Sequence, residues 1–117
     1  MASHFAKQVA SQLLKKKLPQ DVHLLKLEIP SDATLETPLV WTRVSQQRYY
    51  EPIATERASW AEPGKVGYRW AGTLEGEPED TDVYALRRKR AISLSPLSLD
   101  LTSRVDFSEL EHFVMTD

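Results

Sequence analysis

The sequence predicts an α+β fold: an antiparallel sheet of five or six strands, an N-terminal helix packed on one face and a short C-terminal helix. Two observations carry this. Segments with period-two apolar alternation run in succession through the middle of the chain, and segments with helical periodicity flank them instead of alternating with them. The connections are short enough for hairpins. With 117 residues, 41% hydrophobic and 27% charged, one domain spanning residues 1–117 is expected. A chain of this size buries about 65% of its unfolded surface.

The N-terminal helix is read over Ser3–Leu18. Phe5, Val9 and Leu13 recur at four-residue spacing, with Ala6, Ala10 and Leu14 beside them, which makes one apolar stripe. Ser3 is the expected N-cap. Lys15, Lys16 and Lys17 fall in the last turn, where the helix dipole favours cations, and Pro19 ends the helix. Val22–Ile29 reads as a strand, with Leu25, Leu27 and Ile29 on one face. Pro30–Pro38 is a loop and Leu39–Val44 a second strand. Arg48–Ile53 is a short third strand whose Pro52 suits a sheet edge. Residues 54–65 read as a loop with a helical turn at Thr55–Trp60. Val66–Trp70 alternates again, with Val66, Tyr68 and Trp70 on one face.

The most charged part of the chain follows. Glu75, Glu77, Glu79, Asp80 and Asp82 crowd a loop containing Gly76 and Pro78, and these carboxylates are expected to be solvated. A long strand is predicted from Asp82 to Leu94, because Tyr84, Leu86, Ile92 and Leu94 share one parity. That strand contains Arg87-Arg88-Lys89-Arg90. Parity places Arg88 and Arg90 on the apolar face and Arg87 and Lys89 on the other. Buried charge is costly unless paired, so the two in-phase arginines need a partner. A hairpin between Val66–Trp70 and Val83–Leu94 would set Tyr68 and Trp70 against them. A guanidinium over an aromatic face contributes roughly 0.5–2 kcal/mol. At Ser95-Pro96 the apolar parity flips from even to odd positions, which predicts a bulge. Asp106, followed by Glu109, caps a final helix ending at Met115, with Phe107, Leu110, Phe113 and Val114 as its apolar face.

Composition excludes several chemistries. There is no cysteine, hence no disulfide, thiolate nucleophile or cysteine-held metal. Asn is absent too, so no N-glycosylation site exists. Loss of both residue types fits a thermophilic composition. The net charge is −2, too small for nucleic-acid binding by bulk field. It is unevenly spread: residues 1–50 carry seven Lys/Arg against four Asp/Glu, and residues 51–117 carry eight against thirteen. No apolar run has the length of a signal sequence or membrane span, so a cytoplasmic location is expected. His4, His23 and His112 lack metal-ligand spacing, and the four glycines match no phosphate-binding loop. No catalytic residue, metal site or cofactor is expected.

The sequence therefore reads as a small non-catalytic binding protein. It is an accessory or assembly factor that docks an acidic protein partner through Arg87, Arg88, Lys89, Arg90, Tyr68 and Trp70. The alternative is a nucleic-acid-binding domain using the same strand pair, stacking bases on its aromatics. A lesser alternative is an enzyme with a carboxylate-based site. Beside these stands a purely structural role, in which the arginines are satisfied by rings and carboxylates of the chain itself. An open sheet edge offers a route to a homo-oligomer. Arg90-Ala-Ile-Ser93 also matches a basophilic kinase pattern, and the basic run a minimal nuclear-localisation signal; both patterns are common by chance.

Overall fold

A computed structural model describes residues 1–117. The chain runs α1 (Ala2–Leu13), β1 (Leu24–Glu28), β2 (Leu39–Trp41), β3 (Tyr50–Ile53), β4 (Gly67–Trp70), α2 (Asp82–Tyr84), a π-helical turn (Ala85–Lys89), β5 (Ile92–Leu97) and α3 (Phe107–Met115). The α+β class holds. The single antiparallel sheet does not. There is a three-stranded sheet in the order β1-β5-β2 and a separate two-stranded sheet of β3 and β4.

The three-stranded sheet is mixed. β1 runs antiparallel to β5, from Leu24 opposite Leu97 to Glu28 opposite Ser93. β2 runs parallel to β5, with Leu39 opposite Ile92 and Trp41 opposite Leu94. The last strand in sequence thus lies in the centre, and residues 42–91 form the crossover that a parallel pair requires. β5 is buried on both faces: Ile92 and Leu94 on one, Ser93 and Ser95 on the other. The two serine hydroxyls are satisfied by one partner, Thr42 Oγ1, at 2.7 and 2.6 Å. Ser93 is thereby sealed from any kinase. No bulge forms at Ser95-Pro96, since the register with β1 is continuous. β2 pairs with β5 only as far as Leu94, so Pro96 stands where β5 has a single neighbour and its missing N–H breaks no three-stranded ladder.

β3 and β4 form an antiparallel hairpin, Tyr50 opposite Trp70 and Pro52 opposite Tyr68. Pro52 is on an edge, as expected. The partner of Gly67–Trp70 is therefore β3, not the segment that follows the acidic loop. Residues 55–60 form no helical turn.

The helices depart from expectation at their ends and in their packing. α1 stops at Leu13 with Leu14 as its C-cap, so Lys15–Lys17 lie beyond the last turn. Its N-cap is Met1, without a side-chain hydrogen bond. Only Phe5 of α1 is buried, so the helix does not sheathe a sheet face. In α3 the expected cap is present: Asp106 Oδ1 accepts from the N–H groups of Ser108 (2.8 Å) and Glu109 (3.1 Å). Yet no α3 residue is buried. The radius of gyration is 19.5 Å, against about 13 Å for a compact chain of this length. The core gathers around β5 and the terminal helices extend from it. No helix is long and apolar enough to cross a membrane.

Candidate functional site

Asp82 organises the region around the basic run. Thr81 caps the short α2 helix, its Oγ1 accepting from Tyr84 N–H at 3.3 Å. This cap turns the chain into a helix where parity had suggested a strand. The Asp82 side chain is drawn inward, with Oδ1 accepting from the N–H groups of Ser45 (2.9 Å) and Val83 (2.8 Å). Oδ2 accepts from Lys26 Nζ of β1 at 2.5 Å, and Lys26 also lies 2.8 Å from Glu28. Burial pushes the Asp82 carboxyl up, but Lys26 and the two N–H groups outweigh it and hold the group below its ordinary value. Burial likewise lowers Lys26, and its two carboxylates overcome that and hold it above the ordinary value.

A second carboxylate of the acidic loop is also buried. The turn Leu74–Glu77 closes through the Glu77 N–H to Leu74 O bond (3.1 Å), with Gly76 at φ +76° supplying the left-handed position. Glu77 then turns inward and accepts from the buried Tyr49 hydroxyl. Burial raises the Glu77 pKa, while the neighbouring polar groups of Ser45, Thr81 and Tyr49 hold it below the ordinary value. Burial first, and then the facing carboxylate, push the Tyr49 phenol up. The expectation that residues 75–82 form a uniformly solvated acidic loop is thus corrected at Glu77 and Asp82. Neither signals its burial in the sequence; only the Thr-Asp cap pattern before an apolar run hinted at Asp82.

The basic run is not a strand. Arg87, Arg88 and Lys89 lie in the π-helical turn, and all four basic residues are exposed. The Arg90 N–H bonds to Ala85 O, and the Ala91 N–H returns to the same oxygen at 2.9 Å, which closes the turn. Arg90 occupies the left-handed position there, at φ 52° and ψ 39°. The parity that set Arg88 and Arg90 on a buried face therefore does not exist. Arg87 reaches the hairpin, its guanidinium 4.9 Å from the Trp70 ring centroid and 3.1 Å from the Tyr50 hydroxyl. Arg90 pairs with Asp32, Nη2 to Oδ1 at 2.7 Å, and this bond lowers the Asp32 pKa. Lys89 donates to Glu79 O at 3.3 Å and lies 5.6 Å from the Tyr84 ring. Arg88 is exposed and enters none of these contacts. Of the six residues read as one surface, only Arg87 and Trp70 meet. Tyr68 sits opposite Pro52, exposed.

Two clefts share Val44, Ser45 and Gln47. The smaller, about 330 Å³, lies between the hairpin and α2 and includes Tyr49, Tyr50, Trp70 and Arg87. The larger, about 1110 Å³, runs from Trp41 past Ser45 and Glu77 to Leu99. No three His, Asp or Glu side chains are grouped so as to hold a metal ion.

No known protein-family profile matches the chain. Individual relatives do. The chain is similar to the 5′-nucleotidase SurE of Thermococcus gammatolerans, 37% identical over 114 residues, 96% of this chain and 41% of the relative. The similarity is to an enzyme. The 5′-nucleotidase SurE of Thermococcus kodakarensis is 39% identical over 112 residues, 94% of this chain and 42% of the relative. That of Methanosarcina mazei is 37% identical over 108 residues, 91% and 39%. The chain thus spans about two fifths of the length of the curated relatives it matches.

These relatives overturn the expectation of a non-catalytic accessory factor. That expectation rested on missing catalytic motifs. In a chain that covers two fifths of its relatives, missing motifs say nothing of the remaining three fifths.

Proposed function

We propose that this chain forms part of a 5′-nucleotidase of the SurE kind, an enzyme that removes the 5′-phosphate from a nucleotide. The observation that carries the reading is the 37% identity over 96% of the chain to a protein of that name. Two structural features support it. Sheets usually have about four to six strands, while this one has three and leaves the outer edges of β1 and β2 unpaired. Large apolar side chains such as Leu24, Phe107 and Phe113 are exposed. Both features fit a piece of a larger α/β assembly. With no grouped metal ligands of its own, the chain is assigned a scaffolding and substrate-facing part. The phosphate chemistry goes to residues outside the matched two fifths.

The test is phosphate release from a 5′-nucleoside monophosphate. It is measured for the 117-residue chain by itself and for the chain mixed with a relative truncated of the matching region. The reading expects release in the mixture and preference for a 5′- over a 3′-phosphate. No release under either condition refutes it.

A further inference from the structure

The three tryptophans differ in what their rings face. Trp60 lies under the Arg57 guanidinium at 4.4 Å. Trp70 is contacted by Tyr49 (stacked, centroids 5.0 Å apart), Tyr50 (edge-on, 5.4 Å) and Arg87. Trp41 has neither an aromatic nor a cationic neighbour. It is 65% exposed, at the end of the hydrogen-bonded strand β2, in the wall of the larger cleft. A free indole face on a fixed strand is a stacking platform for a planar ring.

The rest of the cleft narrows the class of ring. The Gln46 and Gln47 side chains line it beside Ser45. The Gln46 amide nitrogen donates only a long bond to Val44 O, 3.3 Å. The Tyr49 hydroxyl gives its single proton to Glu77, and the Gln47 carbonyl lies 3.3 Å from that hydroxyl, so the Gln47 amide nitrogen stays available to donate. Glutamine amides match the hydrogen-bonding edge of a purine. The charges in the cleft do not suit phosphate. Its one guanidinium, Arg43, is already engaged by Asp80 at 3.3 Å, and Glu77 adds a negative charge. A neutral aromatic group fits this cleft, and a dianion does not.

We infer that the cleft is a nucleoside subsite. Trp41 stacks on the base of a nucleotide, Gln46 and Gln47 meet its polar edge, and the phosphate projects out of the cleft toward another part of the enzyme. The inference rests on the nucleotidase reading and adds to it where the base is held.

The test is the ¹⁵N indole resonance of Trp41, assigned with Trp41→Phe, during titration of the full chain. Adenosine and adenosine 5′-monophosphate are expected to shift it alike. Ribose 5-phosphate and inorganic phosphate are expected to leave it unmoved. Trp41→Ala should weaken adenosine binding on the order of tenfold, the loss of one stacked base, at an unchanged urea midpoint, since Trp41 is exposed. Trp41→Phe should keep most of the affinity. The subsite is refuted if millimolar adenosine moves nothing, or if phosphate moves the signal as well. It is also refuted if the resonance shifts with protein concentration alone, which would assign Trp41 to a contact between copies. A chain that yields phosphate in the mixing assay but shows no adenosine shift loses only this inference. A chain that binds adenosine but never yields phosphate loses the nucleotidase reading instead.

Discussion

Replacing Asp82 by asparagine tests whether the buried carboxylate, and not merely its shape, holds the molecule together. The substituted amide can still accept at its oxygen from Ser45 and Val83, whose N–H groups lie 2.9 and 2.8 Å from Asp82 Oδ1. Its nitrogen would turn a donor toward the Lys26 ammonium, where Asp82 now accepts at 2.5 Å. The loss is one charge-assisted bond, about 1.5–3 kcal/mol. Lys26 is 34% exposed and keeps Glu28 at 2.8 Å, so solvent screening brings the expected cost to about 2 kcal/mol. Asp82→Ala also strips both N–H groups of their acceptor, at about 1 kcal/mol each, for a total of about 4 kcal/mol. Urea denaturation at neutral pH, followed by tryptophan fluorescence, measures both. The pH dependence supplies a second arm. A carboxyl whose folded pKa is held below its unfolded value, about 3.9 for Asp, contributes stability above that value and loses it as pH falls through the folded pKa. Lys26, held above its ordinary value, contributes below about 10.4 and loses its part as pH rises through the folded pKa. The gap between the wild-type chain and Asp82→Asn should therefore be flat near neutrality and close in acid. Glu77 is also held low, so both chains weaken in acid, and only their difference reports on Asp82. A gap under about 0.5 kcal/mol at pH 7, equal effects of the two substitutions, or a gap that persists in strong acid would refute the reasoning.

The left-handed Arg90, at φ 52°, should be relieved by Arg90→Gly. The exposed Asp32 pair it gives up is weak, so a stabilisation of about 0.5–1 kcal/mol is expected by urea titration. Arg87→Ala should cost about 1 kcal/mol through its lost contacts to Trp70 and Tyr50, while Arg88→Ala stays within about 0.5 kcal/mol. Equal effects of the two would show the Arg87–Trp70 contact to be unimportant. A methyl at Gly72 would meet the Tyr49 ring and lie 3.1 Å from Arg48 O, so Gly72→Ala should lower stability by about 1–3 kcal/mol and perturb the Tyr49–Glu77 bond. Thermal denaturation compared with the wild-type chain measures it.

Features written in local chemistry were legible. The Asp106 cap, β1, β2 and β3 to within a few residues and the edge position of Pro52 all follow from side chains acting on their own neighbourhood. The stretch from Asp82 to Leu94 was misread because its apolar residues fit both periods over so short a run. The Thr81-Asp82 cap was the overlooked signal. Glu77 and Asp82 resembled their solvated neighbours because the Tyr49 hydroxyl and the Lys26 ammonium that receive them lie 28 and 56 residues away. The expected strand arrangement of the basic run failed for the same reason. Trp70 meets Arg87 and not the expected Arg88 or Arg90, through a helical turn lying on a hairpin, and the partner of β4 comes from upstream.

The sequence alone determined the α+β class, most of the strand positions and the absence of cysteine chemistry. Its relatives carry an enzyme's name, 5′-nucleotidase, which its own motifs do not suggest. Tertiary structure decided that β5 takes the centre of a mixed sheet, that Trp70 packs against Tyr49, Tyr50 and Arg87 while Trp41 has no such neighbour, and that two carboxylates of an acidic loop are buried and paired. Local propensities set φ and ψ within a few residues. Strand order and charge pairing depend on contacts between segments tens of residues apart, whose energy no local pattern records.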